Sequence, residues 1–270
     1  MTTIISWDIG IKNLAFCQLQ LSEPDEEGNG SYDISDWNVI DLNCISVSPP
    51  DIFPFLDTAF LVRYGKMNKK DLIPYCQQMN LPTDGNKNQI INTIQDKLHS
   101  LGWKPPTKKS LKPSLAAIGE RLVASLQPYT QMLQAQHVLI ENQPSLKNPI
   151  MKSIQMLVFS YFLLKGKIES NPGMNLHFIS ASNKLKIAKK SSLDFPTLTK
   201  TSKSKYTQTK NLGVLYCRFL LSLASQKHPY HDFFEGHTKK DDLSDSFLQA
   251  VYFMQKNYPK FSFLGINGKT

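Results

Sequence analysis

Ile4, Ile5 and Trp7 form an apolar run that stops at Asp8-Ile9-Gly10, the pattern of a buried strand ending in a turn. Leu14 to Leu21 reads as a second strand, with Ala15, Cys17, Leu19 and Leu21 alternating. The acidic, glycine-bearing stretch Glu23 to Ser31 is a loop, and Trp37 to Val47 reads as a third strand. Together these predict an antiparallel meander. Pro49, Pro50 and Pro54 then break the pattern. From Lys66 to Gly102 the period changes: Leu72, Cys76 and Leu81 suit a short helix and turn, Asp84-Gly85 signals a turn, and Ile90, Ile91, Ile94 and Leu98 form a helical stripe. A Pro- and Lys-rich linker, Trp103 to Pro113, follows.

Beyond it, Ser114 caps a helix with Leu115, Ile118, Leu122 and Leu126 on one face, ended or bent at Pro128. His137 to Glu141 (HVLIE) is a short buried strand ending in a carboxylate. Asn148-Pro149 starts a helix that runs through Ile150, Ile154, Leu157, Tyr161 and Leu164 to Gly166. Asn175 to Ile179 is a strand, Leu212 to Ala224 a helix, and Asp241 to Gln255 the last helix, burying Leu243, Phe247, Ala250, Val251 and Met254. Three meander strands followed by alternating helices and strands predict an α/β fold, a mixed sheet with helices on both faces. Residues 1–54 and 114–270 would form this domain, and 55–113 an inserted helical module.

With 41% of its 270 residues apolar, the chain can bury a sizeable core. Lys and Arg total 31 against 22 Asp and Glu, a net charge of +9, which favours a polyanionic partner such as nucleic acid. Charge concentrates in Lys184 to Lys210, where eight lysines accompany one acid among Ser and Thr, a composition suited to phosphate contact. Cys17, Cys44, Cys76 and Cys217 form no CxxC pair, so neither a zinc site nor a disulfide framework is expected. No apolar run approaches transmembrane length, and the N-terminus carries neither a basic signal region nor an Arg-rich presequence. His177, His228, His231 and His237 are expected as surface or loop residues, His237 close to the acidic cluster.

Asp8 and Glu141 each end an apolar strand, where open sheets place their sites. If the two strands are parallel neighbours, the carboxylates meet at one sheet edge, and an acid directly after Val-Leu-Ile needs a partner such as a divalent cation. In KKDDLSDS, Asp242 and Asp245 (i, i+3) share a helix face, as do Asp241 and Asp245 (i, i+4), and spacing leaves the choice between Asp241 and Asp242 open. Carboxylates converging from separate elements on a basic chain suit two-metal phosphodiester hydrolysis with Mg2+ or Mn2+.

The segments SWDIGIKNLAFC (Ser6 to Cys17), IENQPSLKNPIMKSIQ (Ile140 to Gln155) and KKDDLSDSFLQA (Lys239 to Ala250) resemble the Holliday junction resolvases of poxviruses and fungal mitochondria, relatives of bacterial RuvC in the ribonuclease H-like superfamily. The resemblance implies a mixed five-stranded sheet flanked by helices and a homodimer formed through the helix from Pro149 to Leu164. Its implied activity is endonucleolytic resolution of four-way DNA junctions with two Mg2+ or Mn2+ ions per site, leaving 5′-phosphate and 3′-hydroxyl ends. It assigns Asp8, Glu141, Asp242 and Asp245 as metal ligands, choosing Asp242 over Asp241. It also implies a catalytic lysine, matched best by Lys186, with Lys184 as the alternative. The inserted module resembles a SAP-type DNA-binding motif. The family implies a mitochondrial or a viral cytoplasmic setting. DIGIKN also resembles the phosphate-loop strand of actin-like ATPases, but the second Asp-x-Gly turn of that fold is missing, since Glu141 precedes Asn142-Gln143. A branched-DNA-binding protein without catalysis is the other alternative, and intact acids at all four positions argue against it.

Overall fold

The structure is a computed structural model that describes residues 2–42, 56, 58–101, 113–146, 148–190, 193–197, 204–223 and 228–263. Six strands form one mixed sheet: β1 (Thr3–Asp8), β2 (Leu14–Leu21), β3 (Gly30–Ile40), β4 (His137–Glu141), β5 (Asn175–Ile179) and β6 (Phe261–Phe263), in the order β5-β4-β1-β2-β3-β6. The β1–β2 and β2–β3 pairs are antiparallel, and β1–β4, β4–β5 and β3–β6 are parallel. The α/β class and the antiparallel meander are those expected. The sheet has a sixth strand instead of the expected five, because Phe261 and Phe263 give only two apolar positions, too few to register as a period.

The third strand also differs from expectation. It begins at Gly30, and the 43–47 part of the expected Trp37–Val47 strand, with Cys44, lies outside the described residues. The cause is a β-bulge: Gln18 pairs with Asp36 and Leu19 with Ile34, so Ser35 is an extra residue. Tyr32 and Ile34 therefore face the same core as Trp37 and Val39, although their alternation is broken by one. A strict period of two finds only the second half. At the opposite end of the meander, Gly10 is required by close approach, since a Cβ there would stand 2.3 Å from the Asn13 carbonyl oxygen.

Two compact units divide the chain, Met1–Leu42 with Leu115–Thr270, and Asn43–Ser114. The smaller unit contains α1 (Thr58–Arg63), α2 (Lys69–Gln78) and α3 (Lys87–Ser100) around Phe60, Leu72, Cys76, Ile90, Ile94 and Leu98, all essentially buried. Asn86 caps α3 in a reciprocal box with Gln89. Gly85 before it has φ +99°, and its carbonyl accepts a 2.7 Å bond from Lys69 Nζ on α2. Most of the linker, 102–112, lies outside the described residues.

In the larger unit, α4 (Leu115–Leu126) and α5 (Pro149–Tyr161) cover one sheet face, packing Ile118, Leu122, Ile154 and Val158 on Ile5, Trp7, Phe16, Val138 and Ile140. The chain of α5 continues as a π-helical segment, Phe162–Ile168. A short α6 (Ile187–Lys190) follows β5. The opposite face carries α7 (Lys205–Ser222), α8 (Tyr230–Gly236) and α9 (Lys240–Asn257) over Ile4, Cys17, Leu19, Ile34, Trp37, Leu139 and Ile179. The basic segment is therefore partly helical, although its residues 191–192 and 198–203 lie outside the described residues. Trp37 fastens α9 to the sheet: its Nε1 donates to the Leu243 carbonyl at 3.2 Å and Ser246 Oγ at 3.3 Å, and its ring stacks on Phe234 at 5.4 Å. Among the described residues, no helix is long and apolar enough to cross a membrane.

Candidate active site

Strand parity decides where the first two acids point. Successive side chains alternate faces, and Ile4, Ser6 and Asp8 of β1 share the side of Leu139 and Glu141 of β4, the side that α9 covers. The register pairs Trp7 with Ile140, so the two carboxylates follow as neighbours at the carboxyl ends of parallel strands. Asp8 is 9% and Glu141 8% exposed. From above, the first turns of α9 bring Asp242 and Asp245 to the same place. A cleft of about 510 Å3 is lined by Asp8, Glu141, Asp242, Asp245, Gln143 and Lys184, with Tyr206, Thr209 and Lys210 of α7 on its rim.

Crowding and burial raise the proton affinity of Asp8, Asp242 and Asp245. Asp8 titrates well above the usual carboxylate range, first because it is buried, then because it hydrogen-bonds Glu141 and faces the charges of Glu141 and Asp245. Burial raises Asp245 as well, against the pull of Lys184. Asp242 is pushed up to about 6, by burial and by neighbouring Asp241, and its Oδ2 is buried with no hydrogen-bond partner. Burial alone would lower the Lys184 ammonium, but the charges of Asp245, Asp8 and Glu141 raise it.

The structure separates residues that spacing could not. Asp241 turns away from the cleft to an ion pair with Lys210, which outweighs its burial and holds it below the ordinary range, whereas Asp242 faces into the cleft. Lys186, the lysine matched best by resemblance, is not among the residues lining the cleft, and Lys184 is. Residues 181–186 form a 3-10 turn, in which positions three apart eclipse. Lys184 thus follows the face of buried Ile187 and reaches Asp245, while Lys186 is directed back to Asn183 Oδ1 at 2.8 Å.

Gln155 was not singled out from sequence. It is fully buried on α5, and its Oε1 accepts from the Gln143 backbone N–H at 2.8 Å and from Lys152 Nζ at 3.1 Å. The same ammonium donates to Asn142 Oδ1 at 3.1 Å, so α5 holds the two residues that follow Glu141. A glutamine within an otherwise apolar helix stripe was the available signal. His228 also departs from expectation: it is 4% exposed, its Nδ1 accepts the Tyr230 N–H, and its Nε2 therefore donates to Asp33 at 2.7 Å. His177 pairs with His137 at 3.1 Å, away from the four acids, and His237 accepts from the Lys239 N–H beside the start of α9.

All the donors in the cleft are oxygens, the set that hard divalent cations take. Among the described residues, no three acid, imidazole or thiol side chains stand together as a finished metal cage. The Lys184 ammonium, paired with Asp245, meets part of the negative charge, and the hydrogen bond between Asp8 and Glu141 brings those two side chains together. The unpartnered Asp242 Oδ2 adds an acceptor with no donor. Mutually repelling, desolvated carboxylates with a spare acceptor fit a cation better than they fit a purely structural role.

A family model described as "Mitochondrial resolvase Ydc2 / RNA splicing MRS1" matches residues 4–145, more than half of the chain and inclusive of Asp8 and Glu141. An uncharacterized protein, L451, of Acanthamoeba polyphaga mimivirus is 29% identical over 328 aligned positions, covering 95% of this chain and 77% of that protein. The yeast mitochondrial Holliday junction resolvase Ydc2 aligns at a TM-score of 0.45 and 14% identity, over 94% of this chain and 79% of its own. The fowlpox virus Holliday junction resolvase aligns at 0.41 and 13%, over 94% and 99%.

Proposed function

Since the chain belongs to the family that joins the mitochondrial resolvase Ydc2 with the RNA splicing protein MRS1, we propose that it is a metal-dependent endonuclease resolving four-way DNA junctions. It acts as a homodimer whose two sites nick opposed strands. The observation that carries this reading is the convergence of Asp8, Glu141, Asp242 and Asp245 in one cleft rimmed by Lys184 and Lys210. The family description couples a resolvase with RNA splicing, and a non-catalytic nucleic-acid binder would have no need for four acids in one cleft, two of them buried.

In this reading the four carboxylates hold two Mg2+ or Mn2+ ions. Bound there, the ions lower the pKa of a water and offset charge on the phosphate and the departing oxygen. Asp8 would hold a cation in its ionised form, its proton passing to solvent on binding. Lys184 leaves Asp245 for a phosphate oxygen, a charge-assisted contact that positions the scissile group. Gln155 keeps the backbone after Glu141 in place. Water oxygen bonds to phosphorus and the P–O3′ bond breaks, so the ends are a 5′-phosphate and a 3′-hydroxyl.

Homodimerisation has a surface to use. On α5 and its π-helical continuation, Ile150, Met156, Leu164 and Ile168 are 40–63% exposed, beside Leu115 and Val123 of α4 and Phe178 of β5. Such an apolar surface is the kind covered by a partner. The smaller helical unit contributes DNA affinity in the manner of a SAP motif. The setting is mitochondrial or that of a large DNA virus.

The test is cleavage of a synthetic four-way junction against linear duplex of the same sequence, with Mg2+, Mn2+ or EDTA, using wild type and Glu141→Gln. Paired nicks confined to the junction and absent with EDTA and in the variant are expected. Tight junction binding without cleavage in either metal overturns the nuclease reading.

A further inference from the structure

A second groove lies against the catalytic cleft, and nothing in the nuclease chemistry uses it. It encloses about 580 Å3, within the size range of ligand sites, about 300–1,000 Å3. Its walls are α7 and the loop between α8 and α9, and the two hollows share Tyr206 and Lys210. Asp241 lines the groove while Asp242 lines the cleft, so the start of α9 forms the rim between them.

The lining has the chemistry of a nucleotide. Lys210, Arg218, Lys240 and His237 contribute positive or proton-donating groups, and Val214 and Leu215 contribute apolar surface. The acid in the lining, Asp241, is paired with Lys210, and Arg218 is itself paired with Glu235 through Nε and, at 3.0 Å, Nη2, so Lys240 is the leading cation and Arg218 offers only the edge that faces away from Glu235. Tyr206 stands at the mouth with 69% of its surface exposed, more than Phe178 at 47%. Its ring is held by the Lys210 ammonium, 5.2 Å from the ring centroid and one helical turn away. An exposed, braced aromatic beside cations is the arrangement on which single-stranded nucleic acid stacks its bases while phosphates meet the cations.

The geometry points to a subsite for one nucleotide of the cleaved strand next to the scissile phosphate, unstacked from its duplex, with its base on Tyr206 and its phosphate between Lys240 and Arg218. This assignment rests on the nuclease reading of the adjoining cleft and adds a contact that the reading does not require. An unstacked nucleotide is available at low cost where four arms meet and stacking is already interrupted, and is costly within continuous duplex. The groove therefore supplies part of the discrimination between junction and linear DNA.

The experiment first maps the cut site with wild-type protein and Mg2+, then places 2-aminopurine at each position flanking it. Fluorescence is read on junctions bound by Glu141→Gln and by Glu141→Gln combined with Tyr206→Ala or Tyr206→Phe. Changed emission at one flanking position is expected with Glu141→Gln, retained with Phe and lost with Ala, together with roughly tenfold weaker junction binding for Ala. Lys240→Gln is expected to lower the slope of log affinity against log salt by about one. If wild type cuts the junction but no flanking position responds, or the response survives Tyr206→Ala, the subsite is overturned and the nuclease reading stands. A wild-type chain that leaves the junction uncut overturns both.

Discussion

Asp8, at the end of one parallel strand, hydrogen-bonds Glu141 at the end of the next, and that contact together with burial raises Asp8 well above the usual carboxylate range. Neither side chain has a better partner, because both are more than nine-tenths buried and α9 adds two further acids above them. Removing either carboxylate takes away a cation ligand and leaves the surface less negative. Asp8→Asn and Glu141→Gln are therefore expected to lower junction cleavage by at least about 10^3-fold. Junction affinity should stay within a few-fold of wild type or rise, read by gel shift beside the cleavage assay. Wild-type cleavage by either variant would remove these residues from the catalytic set.

Acids held above their ordinary range make the cation-free fold sensitive to alkali. Folded Asp242 binds its proton up to about 6, whereas the unfolded group releases it near 3.8. Between those values the folded state carries more protons, so stability falls as pH rises, and the loss is complete above the folded value. Asp8, also raised by burial and by Glu141, adds to the fall. With EDTA, Tm should drop by several degrees from pH 4.5 to 7.5, and Asp242→Asn should flatten the lower part of the curve. Saturating Mg2+ should reverse the trend, since cations bind the deprotonated form. A Tm that climbs steadily with pH in EDTA contradicts the assigned burial of these acids.

Lys184 and Lys186 differ by half a turn and should differ sharply in consequence. Lys184→Ala is expected to cost about 10^2-fold or more in kcat, since it removes the ammonium placed among the acids. Lys186→Ala, which loses a bond to Asn183, should remain within about threefold. Single-turnover cleavage at saturating protein separates the two. Equal effects would return Lys186 to the site.

Deleting Lys66 to Gly102 and closing the gap with a Gly/Ser linker should leave the four acids untouched, because all lie in the other unit. The expected result is weaker junction binding at matched salt with cleavage preserved at saturating protein. Unchanged affinity would leave the helical unit without a role in DNA binding.

Met156 stands on the exposed apolar face of α5. Met156→Glu places a charge in the proposed dimer seam and should convert the protein to a monomer by light scattering, with paired nicks replaced by single ones. A dimer that persists puts the seam elsewhere.

Much of this architecture was legible in the residues. The strands at Leu14–Leu21, His137–Glu141 and Asn175–Ile179 follow from short apolar runs bounded by polar turns. The carboxylate positions follow from acids that end such runs. What escaped had local causes. Ser35 breaks the alternation of β3, so half the strand looked like loop. The resemblance left Lys186 and Lys184 as alternatives, and it is the 3-10 turn over residues 181–186 that directs Lys184 to Asp245 and Lys186 to Asn183. Gln155 acts through a backbone N–H that no side-chain pattern encodes. The pairing of His228 with Asp33 joins residues 195 apart, a separation that composition carries no trace of.

The four acids are spread along the chain, Asp8 on the first strand, Glu141 near the middle on β4, and Asp242 with Asp245 on α9. Synthesis therefore delivers the meander early and the ligand set only when α9 has left the ribosome. A chain that stops before α9 carries the basic segment but lacks Asp242 and Asp245. The same arrangement makes removal of the C-terminal helix by a protease a one-cut way of switching the nuclease off.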